Sequence, residues 1–248
     1  MKNARTPSID NLISNGAYSF NAQAGTYTLS APGWSNILCG VSEDKHGVTD
    51  NTFNGSNYDK YPSLFTRAEE YDPLIKTASV VSWDELNDNV IKDADYLISH
   101  HWDKKGEKNV LRDSLLMLER DIDLAFVYFM QPDNAGHTYG FDSNEHIAAI
   151  EGVDSQIGKI MSIIKFRSLY YQEDWLTILT SDHGGKGKHH AGIEEARTIP
   201  FIVSGSSVIN QCLAELPRQV DVFPTVFAHL GIPIKKEWGL EGKVVGLK

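Results

Sequence analysis

Residues 175–185, WLTILTSDHGG, run from an apolar stretch directly into polar residues. The first six are short, continuous and rich in β-branched side chains, which is typical of a buried strand in a parallel sheet. Asp182 and His183 follow at once, and the two glycines after them let the backbone turn sharply. In open α/β sheets, ligands bind at the carboxyl ends of strands. The sequence therefore predicts a binding site at this junction.

A second apolar run ends in the same way. DLAFVYFM (123–130) predicts another buried parallel strand, and QPDNAGH (131–137) follows it. Pro132 and Gly136 are expected to turn the backbone so that the polar side chains converge. Carboxylate and imidazole groups suit Zn²⁺ and neighbouring divalent metals. The two clusters offer six such groups: Asp133, His137, Asp182, His183, His189 and His190.

Between these junctions, apolar β-rich runs alternate with amphipathic helical patterns. This alternation predicts an α/β fold with a largely parallel sheet covered by helices. Residues 41–76 are rich in Asn, Asp, Gly and Tyr and predict long loops with one short helix. Further strands are predicted at 17–23, 77–81 and 198–204, and helices at 7–16, 107–120, 143–166 and 221–231, the last with Asp221 as N-cap and Gly231 as its end.

The bulk composition limits the classes of partner. The chain has 248 residues, enough for a single large α/β domain, and a net charge of −10, which disfavours nonspecific binding to nucleic acid or anionic membranes. An anionic substrate would need bound metal to reverse the local field. Cys39 and Cys212 both lie in or beside apolar stretches and predict two buried thiols instead of a disulfide. No apolar run has transmembrane length, and no signal peptide opens the chain.

A serine stands at the start of a third short pattern, TLSAPGWSNILCG (28–40). Pro32 suits the first turn of a helix and Gly40 its end. Ser30 would then sit at the helix N-terminus, either as an N-cap or as a nucleophile close to free N–H groups and the positive end of the helix dipole. The pattern alone leaves both interpretations open.

Together, these motifs resemble the alkaline phosphatase superfamily, and most closely its type I phosphodiesterase/nucleotide pyrophosphatase branch. TPSIDNLISNGAYSFNA resembles the TPNLDxLxxxG opening that follows the first strand of the family, and LSAPGWSNILCGVSEDKHGVTDN resembles the nucleophile helix and HGxxxN stretch. PDNAGHTYG and TSDHGGKGKHHAG resemble the two metal motifs, PDxxGHxxG and SDHGG…GHGG. The resemblance covers nearly the whole chain. It implies a three-layer α/β/α sandwich with a largely parallel central sheet, forming a single catalytic domain over residues 1–248.

The resemblance also implies a role for each matched residue. Ser30 falls on the nucleophile and Asn51 on the asparagine that holds phosphoryl oxygens. Two divalent metals, Zn²⁺ by preference, are implied: Asp133, His137 and His190 match ligands of one, and Asp182 and His183 match ligands of the other, which also holds the Ser30 oxygen. The implied reaction is hydrolysis of a small-molecule phosphoester through a phosphoseryl intermediate. His46 matches a structural position, and His189 matches no ligand.

The sequence departs from the family at its start. The family begins with a buried strand that ends in an Asp ligand of the second metal, and here only MKNAR precedes TPSID. The strand and its Asp are absent from the chain, so the second metal site is expected to be weakened. The chain is then a fragment, a misassigned start or a natural short form, and the missing signal peptide carries no information on compartment.

The substrate is expected to be a phosphodiester or phosphonate, and alternatives remain. A sulfatase needs Arg four residues after its modified residue, where this chain has Trp34. A phosphomonoesterase usually adds an arginine, for which Arg67, Arg112 and Arg197 are candidates by composition only. Four loop aromatics, Trp34, Tyr58, Tyr61 and Trp83, line a leaving-group pocket or simply pack in the core. A non-catalytic metal-binding relic of the fold is the alternative from another class.

Overall fold

The computed structural model describes residues 3–101, 103–188 and 191–248. These residues form two compact units. The first contains residues 3–11, 72–175 and 186–188, and the second contains residues 12–71, 176–185 and 191–248. The single catalytic domain expected from the sequence stays a prediction.

A parallel sheet forms the centre of the first unit. Its strands are β2 (Thr77–Val81), β3 (Tyr96–Ser99) and β4 (Leu124–Tyr128), in the order β3-β2-β4. β2 pairs in parallel with both neighbours, so the carboxyl ends of all three strands lie at one edge. β2 is buried throughout, as its apolar TASVV sequence indicates.

Helices and connections complete the first unit. They are α5 (Asp84–Asn89), α6 (Lys104–Leu118), α7 (Gln131–Tyr139) and α8 (Asn144–Tyr171). Val110 and Met117 of α6 pack with Ala78 and Val80 of β2 in the core. The helix α1 (Pro7–Ser14) begins in this unit, where the Asp154 carboxylate of α8 accepts from the N–H groups of Ser8 (3.2 Å) and Ile9 (2.8 Å). Asp154 thus satisfies N–H groups that a helix start leaves without intrahelical partners.

A mixed sheet forms the centre of the second unit. Its strands are β1 (Gly16–Gln23), β5 (Thr177–Thr180), β6 (Thr198–Ser204) and β7 (Gln211–Cys212), in the order β5-β6-β1-β7. β6 pairs antiparallel with both β5 and β1. The approach of β6 requires glycine at the start of β1, because a Cβ on Gly16 would lie 2.1 Å from the carbonyl oxygen of Val203.

Helices of the second unit include α2 (Ser30–Cys39), α3 (Glu43–His46), α4 (Leu64–Tyr71) and α9 (Val222–Leu230). Phe223 and Phe227 of α9 are buried, with ring centroids 4.5 Å apart in an edge-to-face arrangement, and Phe201 of β6 is also fully buried. Gly231 ends α9 in the left-handed region, with φ of 70°. The sequence prediction of both ends of this helix is confirmed.

The predicted α/β class is confirmed, and the structure adds corrections to the elements. The runs that form β4 and β5 were expected to be buried parallel strands, but β5 pairs antiparallel with β6, and the middle of β4 and the whole of β5 are half-exposed. Each is the terminal strand of its sheet among the described strands. The loops at 41–76 contain two helices instead of one. Cys39 is buried as predicted, whereas Cys212 is exposed on β7, and both are free thiols.

Candidate active site

Ser30 is the first residue of α2, in the second unit. Leu29 occupies the N-cap position and makes no side-chain cap hydrogen bond, so the interpretation of Ser30 as an N-cap is wrong. Ser30 is 8% exposed, and every residue of α2 is buried. Gly40 ends the helix with φ of 66°, as the sequence predicts. The serine hydroxyl therefore lies in the first turn, where the helix dipole is positive.

Asn51 contacts the same helix turn. Its Oδ1 accepts a hydrogen bond of 2.9 Å from the backbone N–H of Ala31. This contact holds Asn51 beside Ser30 and leaves its Nδ2 group to donate to another partner. Two N–H groups at this terminus have partners: the Ala31 N–H is bonded to Asn51 and the Gly33 N–H to the Leu29 carbonyl at 3.0 Å, and Pro32 has no N–H.

The segment that carries Asp182 packs directly against α2. A Cβ on Gly33 would lie 2.4 Å from the carbonyl oxygen of Asp182 and 2.9 Å from its carbonyl carbon. Such a contact is possible only for glycine. The sequence places Asp182 and Ser30 152 residues apart, and the glycine in the first turn of α2 brings the two segments together.

Asp182 and His183 follow β5 and are both buried, at 5% and 6% exposure. His183 Nδ1 lies 2.9 Å from the carbonyl oxygen of Gly184, a contact in which Nδ1 donates its proton. The other ring nitrogen of His183, Nε2, lies 3.5 Å from Asp182 Oδ2. Two ligands bound at about 2.0–2.1 Å to one tetrahedral ion are about 3.4 Å apart. The donor set and spacing of this pair fit a divalent metal.

Asp133 and His137 lie on α7 in the first unit. The sequence predicted a sharp turn here, but Pro132 stands at the start of a regular helix, a position that proline tolerates well. The four-residue spacing places both side chains on one face of α7, with Asp133 Oδ1 3.2 Å from His137 Nε2. This pair also fits two ligands of one metal.

The remaining predicted ligand, His190, lies outside the described residues, as does His189. Within the described part of the chain, no group of three or more His, Cys, Asp or Glu side chains gathers at one point. The structure therefore shows two Asp–His pairs, one in each unit. Ser30, Asn51, Asp182 and His183 are together in the second unit, and Asp133 and His137 are together in the first.

A buried carboxylate that the sequence analysis missed lies under α7. Glu107 of α6 is 4% exposed, and its Oε1 accepts from the N–H of Met130 at 2.9 Å, at the N-cap of α7. Burial raises the pKa of Glu107 to about 7. The sequence did not indicate this contact. Glu107 reads as an ordinary charged residue of an amphipathic helix, and its partner Met130 belongs to another segment.

A buried polar network also lies along α2, and the sequence analysis identified only its histidine. It joins Asn36, Glu43, His46 and Gln219. His46 is fully buried, and that burial lowers its pKa to about 4. The sequence analysis assigned His46 to a structural position, which agrees with a neutral, hydrogen-bonded imidazole.

The loop aromatics have separate environments. Trp34 is buried on α2, and the Tyr58 hydroxyl lies 2.7 Å from Ser35 Oγ, which donates in turn to the Ala31 carbonyl. Burial raises the pKa of Tyr58. Tyr61 is half-buried in the second unit, and Trp83 is half-buried at the N-cap of α5 in the first. Trp34 and Tyr58 therefore lie on or beside the first turns of the Ser30 helix.

Two of the three candidate arginines are paired with carboxylates. Arg67 binds Glu70 at 2.7 Å, and Arg112 binds Asp113 at 2.7 Å. Arg197 is half-buried, and its Nε makes no hydrogen bond within the described residues. None of the described helices is long and apolar enough to cross a membrane.

Comparison with known proteins defines the class of this chain. The family model for type I phosphodiesterase/nucleotide pyrophosphatase matches residues 1–194, and the chain belongs to that family. The predicted resemblance is thereby confirmed.

Curated relatives show the same family. The chain is 22% identical over 204 residues to the bis(5'-adenosyl)-triphosphatase ENPP4 of Homo sapiens, covering 74% of the chain and 44% of that protein. It is 23% identical over 208 residues to ectonucleotide pyrophosphatase/phosphodiesterase family member 7 of Rattus norvegicus, covering 74% of the chain and 46% of that protein. The matched part is less than half the length of these relatives.

Solved structures show the alkaline phosphatase-like fold. Murine ectonucleotide pyrophosphatase/phosphodiesterase 5 matches 93% of this chain and 91% of its own with a TM-score of 0.75 at 13% identity. An inactive form of that murine protein, solved in complex with AMP, has a TM-score of 0.74. A 2-O GAG sulfatase matches 98% of this chain and 68% of its own with a TM-score of 0.74 at 14% identity. At these identities the likeness shows the fold alone.

Proposed function

We propose that this chain is a metal-dependent hydrolase of phosphoric ester bonds, acting on a small phosphodiester or a related phosphoryl or phosphonate compound. The observation that carries the proposal is the arrangement around the first turn of α2. Ser30 begins the helix, Asn51 is bonded to the Ala31 N–H, and Asp182 packs on Gly33. Membership of the type I phosphodiesterase/nucleotide pyrophosphatase family supports this reaction class, and relatives named for nucleotide hydrolysis favour a nucleotide substrate.

Ser30 is proposed as the nucleophile. Its Oγ attacks phosphorus, the bond from phosphorus to the leaving oxygen breaks, and the leaving group departs as an alcohol after protonation. Water then attacks the phosphoseryl group, which releases the phosphate product and restores the serine. The Nδ2 group of Asn51 is oriented by the bond from the Ala31 N–H to its Oδ1 and would donate to a phosphoryl oxygen as its charge increases.

Two divalent ions, by preference Zn²⁺, are proposed as cofactors. Asp133 and His137 with His190 would hold one, and Asp182 and His183 with the Ser30 hydroxyl would hold the other. When bound, such ions supply positive charge that lowers the pKa of a serine hydroxyl and stabilises a leaving oxygen. The protein orients the second pair through the Gly184 carbonyl, which accepts from His183 Nδ1.

The test is turnover of bis-p-nitrophenyl phosphate with metal content measured in the same sample. Ser30→Ala is expected to lower kcat about a thousandfold or more while metal content falls by at most one ion, because the nucleophile is removed. Ser162→Ala is the matched control, since that exposed hydroxyl donates to the Gly158 carbonyl of its own helix at 2.9 Å. Equal activity of Ser30→Ala and the control would overturn the assignment of the nucleophile.

The same experiment tests the alternative from another class. A wild-type chain that binds metal and hydrolyses none of a diester, a monoester and an aryl sulfate would be a non-catalytic metal-binding relic of the fold. Turnover of the aryl sulfate alone would indicate a sulfatase, against which the buried Trp34 at the arginine position argues. Preference for the monoester would favour the phosphomonoesterase alternative.

A further inference from the structure

Gln219 is a buried glutamine whose side chain is fully hydrogen-bonded between two segments of the candidate site. It lies at the start of a short 3-10 turn, Gln219–Asp221, and is 1% exposed. Its Nε2 donates to the carbonyl oxygens of Asp182 at 2.5 Å and Ser181 at 3.3 Å. The same side chain therefore contacts the backbone of the proposed metal ligand without reaching the ligand atoms.

The other end of the Gln219 side chain faces α2. Its Oε1 accepts from the Gly25 N–H at 2.9 Å and from Asn36 Nδ2 at 3.1 Å. A primary amide has two N–H hydrogens and two carbonyl lone pairs, and here all four have partners. The orientation of the amide is determined by these partners, because carbonyl oxygens face one end and N–H groups face the other.

Asn36 connects this amide to the interior of the second unit. Its Nδ2 also donates to Glu43 Oε1 at 3.1 Å, and its Oδ1 lies 2.9 Å from His46 Nε2. His46 Nδ1 accepts from the Val48 N–H at 3.1 Å, so the ring proton is on Nε2 and is donated to Asn36. The network has one consistent set of donors and acceptors, which fixes the rotation of α2 at Asn36.

Asn36 and Ser30 lie on the same rigid helix, separated by about 9 Å of helical rise. Near Ser30, Gly33 has no side chain to separate α2 from Asp182, so the backbone of the helix packs directly against the Asp182 carbonyl group. On the side of Asn36, Gln219 joins the helix to the carbonyl oxygen of the same Asp182. Two contacts of different kinds thus determine how far Asp182 lies from the start of α2.

We propose that Gln219 is a positioning residue for the reaction: its amide sets the distance between the Ser30 helix and the segment of Asp182 and His183. The inference rests on the proposed function and extends it to a residue to which the sequence analysis gave no role. Gln219 acts through backbone carbonyl groups and touches neither substrate nor reacting atoms. Its loss is expected to affect chemistry and metal affinity more than substrate binding.

Gln219→Glu tests the proposal with a side chain of the same size. A carboxylate places oxygen against the Asp182 and Ser181 carbonyl oxygens, so the two attractive contacts become repulsive. We expect kcat to fall about 10- to 100-fold with KM changed less than about threefold, and the affinity for one of two Zn²⁺ ions to fall about 10- to 100-fold. Zn²⁺ affinity is measured by competition with a chromophoric chelator, which needs no turnover.

Asn87→Asp is the matched control in the first unit. Asn87 is also a buried amide, 3% exposed, and its side chain bonds Ser79 at 2.6 Å and Ser99 at 2.9 Å. This variant makes the same change of amide to carboxylate and is expected to lower thermal stability while leaving kcat and Zn²⁺ affinity unchanged. Gln219→Asn is the milder second variant: it keeps an amide but is one methylene shorter, so it should lose less activity in the same direction.

The outcomes separate the two proposals. Wild-type protein without phosphoester turnover would count against the proposed function, and the Zn²⁺ titration would still decide the role of Gln219. Active wild-type protein with Gln219→Glu and Gln219→Asn both indistinguishable from Asn87→Asp in kcat and Zn²⁺ affinity would overturn the positioning role. A selective loss in the Gln219 variants would support it.

Discussion

Gly33→Ala is expected to separate Ser30 from Asp182 by a distance that the structure defines. The new Cβ would lie 2.4 Å from the Asp182 carbonyl oxygen, whereas ordinary contacts begin near 3.4 Å. The two nearest obstructing atoms, the carbonyl oxygen and carbonyl carbon of Asp182, belong to the backbone, so no side-chain rotation relieves the overlap. The helix or the Asp182 segment must therefore move by about 1 Å.

Two free-energy effects of this substitution oppose each other. Alanine in a helix is favoured over glycine by about 0.8–1 kcal/mol, and overpacking of a close contact costs about 1–3 kcal/mol. The net change is a loss of about 0–2 kcal/mol in the free energy of unfolding. A displacement of about 1 Å at reacting groups lowers the rate about 100-fold. The loss of kcat should therefore exceed what the loss of stability explains.

The assay compares Gly33→Ala with Gly152→Ala in urea unfolding and in hydrolysis of bis-p-nitrophenyl phosphate. Gly152 lies in α8, and a Cβ there would have its nearest neighbour at 3.7 Å, the Gln131 side chain. This control should gain up to about 1 kcal/mol and keep its kcat. If Gly33→Ala matched the control in stability, the close contact with Asp182 would be refuted. If it lost stability and kept full kcat, the contact would stand, and its role in spacing the site would be refuted.

Three further predictions concern Asn51, Glu107 and His46. Asn51→Ala should lower kcat about 10²- to 10³-fold without loss of metal, because it removes a donor to the phosphoryl oxygens; an unchanged kcat would contradict its role. Burial raises the pKa of Glu107 from 4.5 to about 7. As pH rises from 4.5 to 7, the free energy of unfolding of the metal-free protein should therefore fall by about 3 kcal/mol because of this group. Chemical unfolding of Glu107→Gln should not show this fall. Burial lowers the pKa of His46 from 6.5 to about 4, so its contribution is present above pH 6.5 and lost as pH falls towards 4. His46→Gln should remove this loss of stability at low pH. If the pH dependence of unfolding in either variant equalled that of the wild-type protein, the buried environment assigned to that residue would be refuted.

The two buried groups act in opposite directions over nearly the same pH range. As pH falls from 7 to 4.5, the contribution of Glu107 to the free energy of unfolding increases. As pH falls from 6.5 to 4, the contribution of His46 decreases. Each contributes a slope of at most about 1.4 kcal/mol per pH unit. Between pH 4.5 and 6.5 their effects on the wild-type protein largely cancel, so the single variants should reveal slopes that the wild-type profile conceals.

The sequence by itself determined the local elements and the family. TASVV and TIPFIVS form strands with the predicted bounds, because short runs rich in apolar and β-branched side chains favour a buried strand. The spacing of Asp133 and His137 is also local, but their shared face depends on the helix α7, where the sequence analysis predicted a turn. Gly40 and Gly231 end their helices because the left-handed conformation there is intrinsic to the residue.

Only the tertiary structure decided which distant groups meet. Asn36 and Gln219 are 183 residues apart in the chain, and no periodicity relates them. The direction of β6 against its neighbours and the half-exposure of β4 and β5 likewise depend on which strands lie beside them. Exposure of Cys212 depends on its place in the outermost strand of the order β5-β6-β1-β7. Local sequence sets backbone preference and polarity, whereas hydrogen-bond partners and burial arise when segments far apart in the chain pack together.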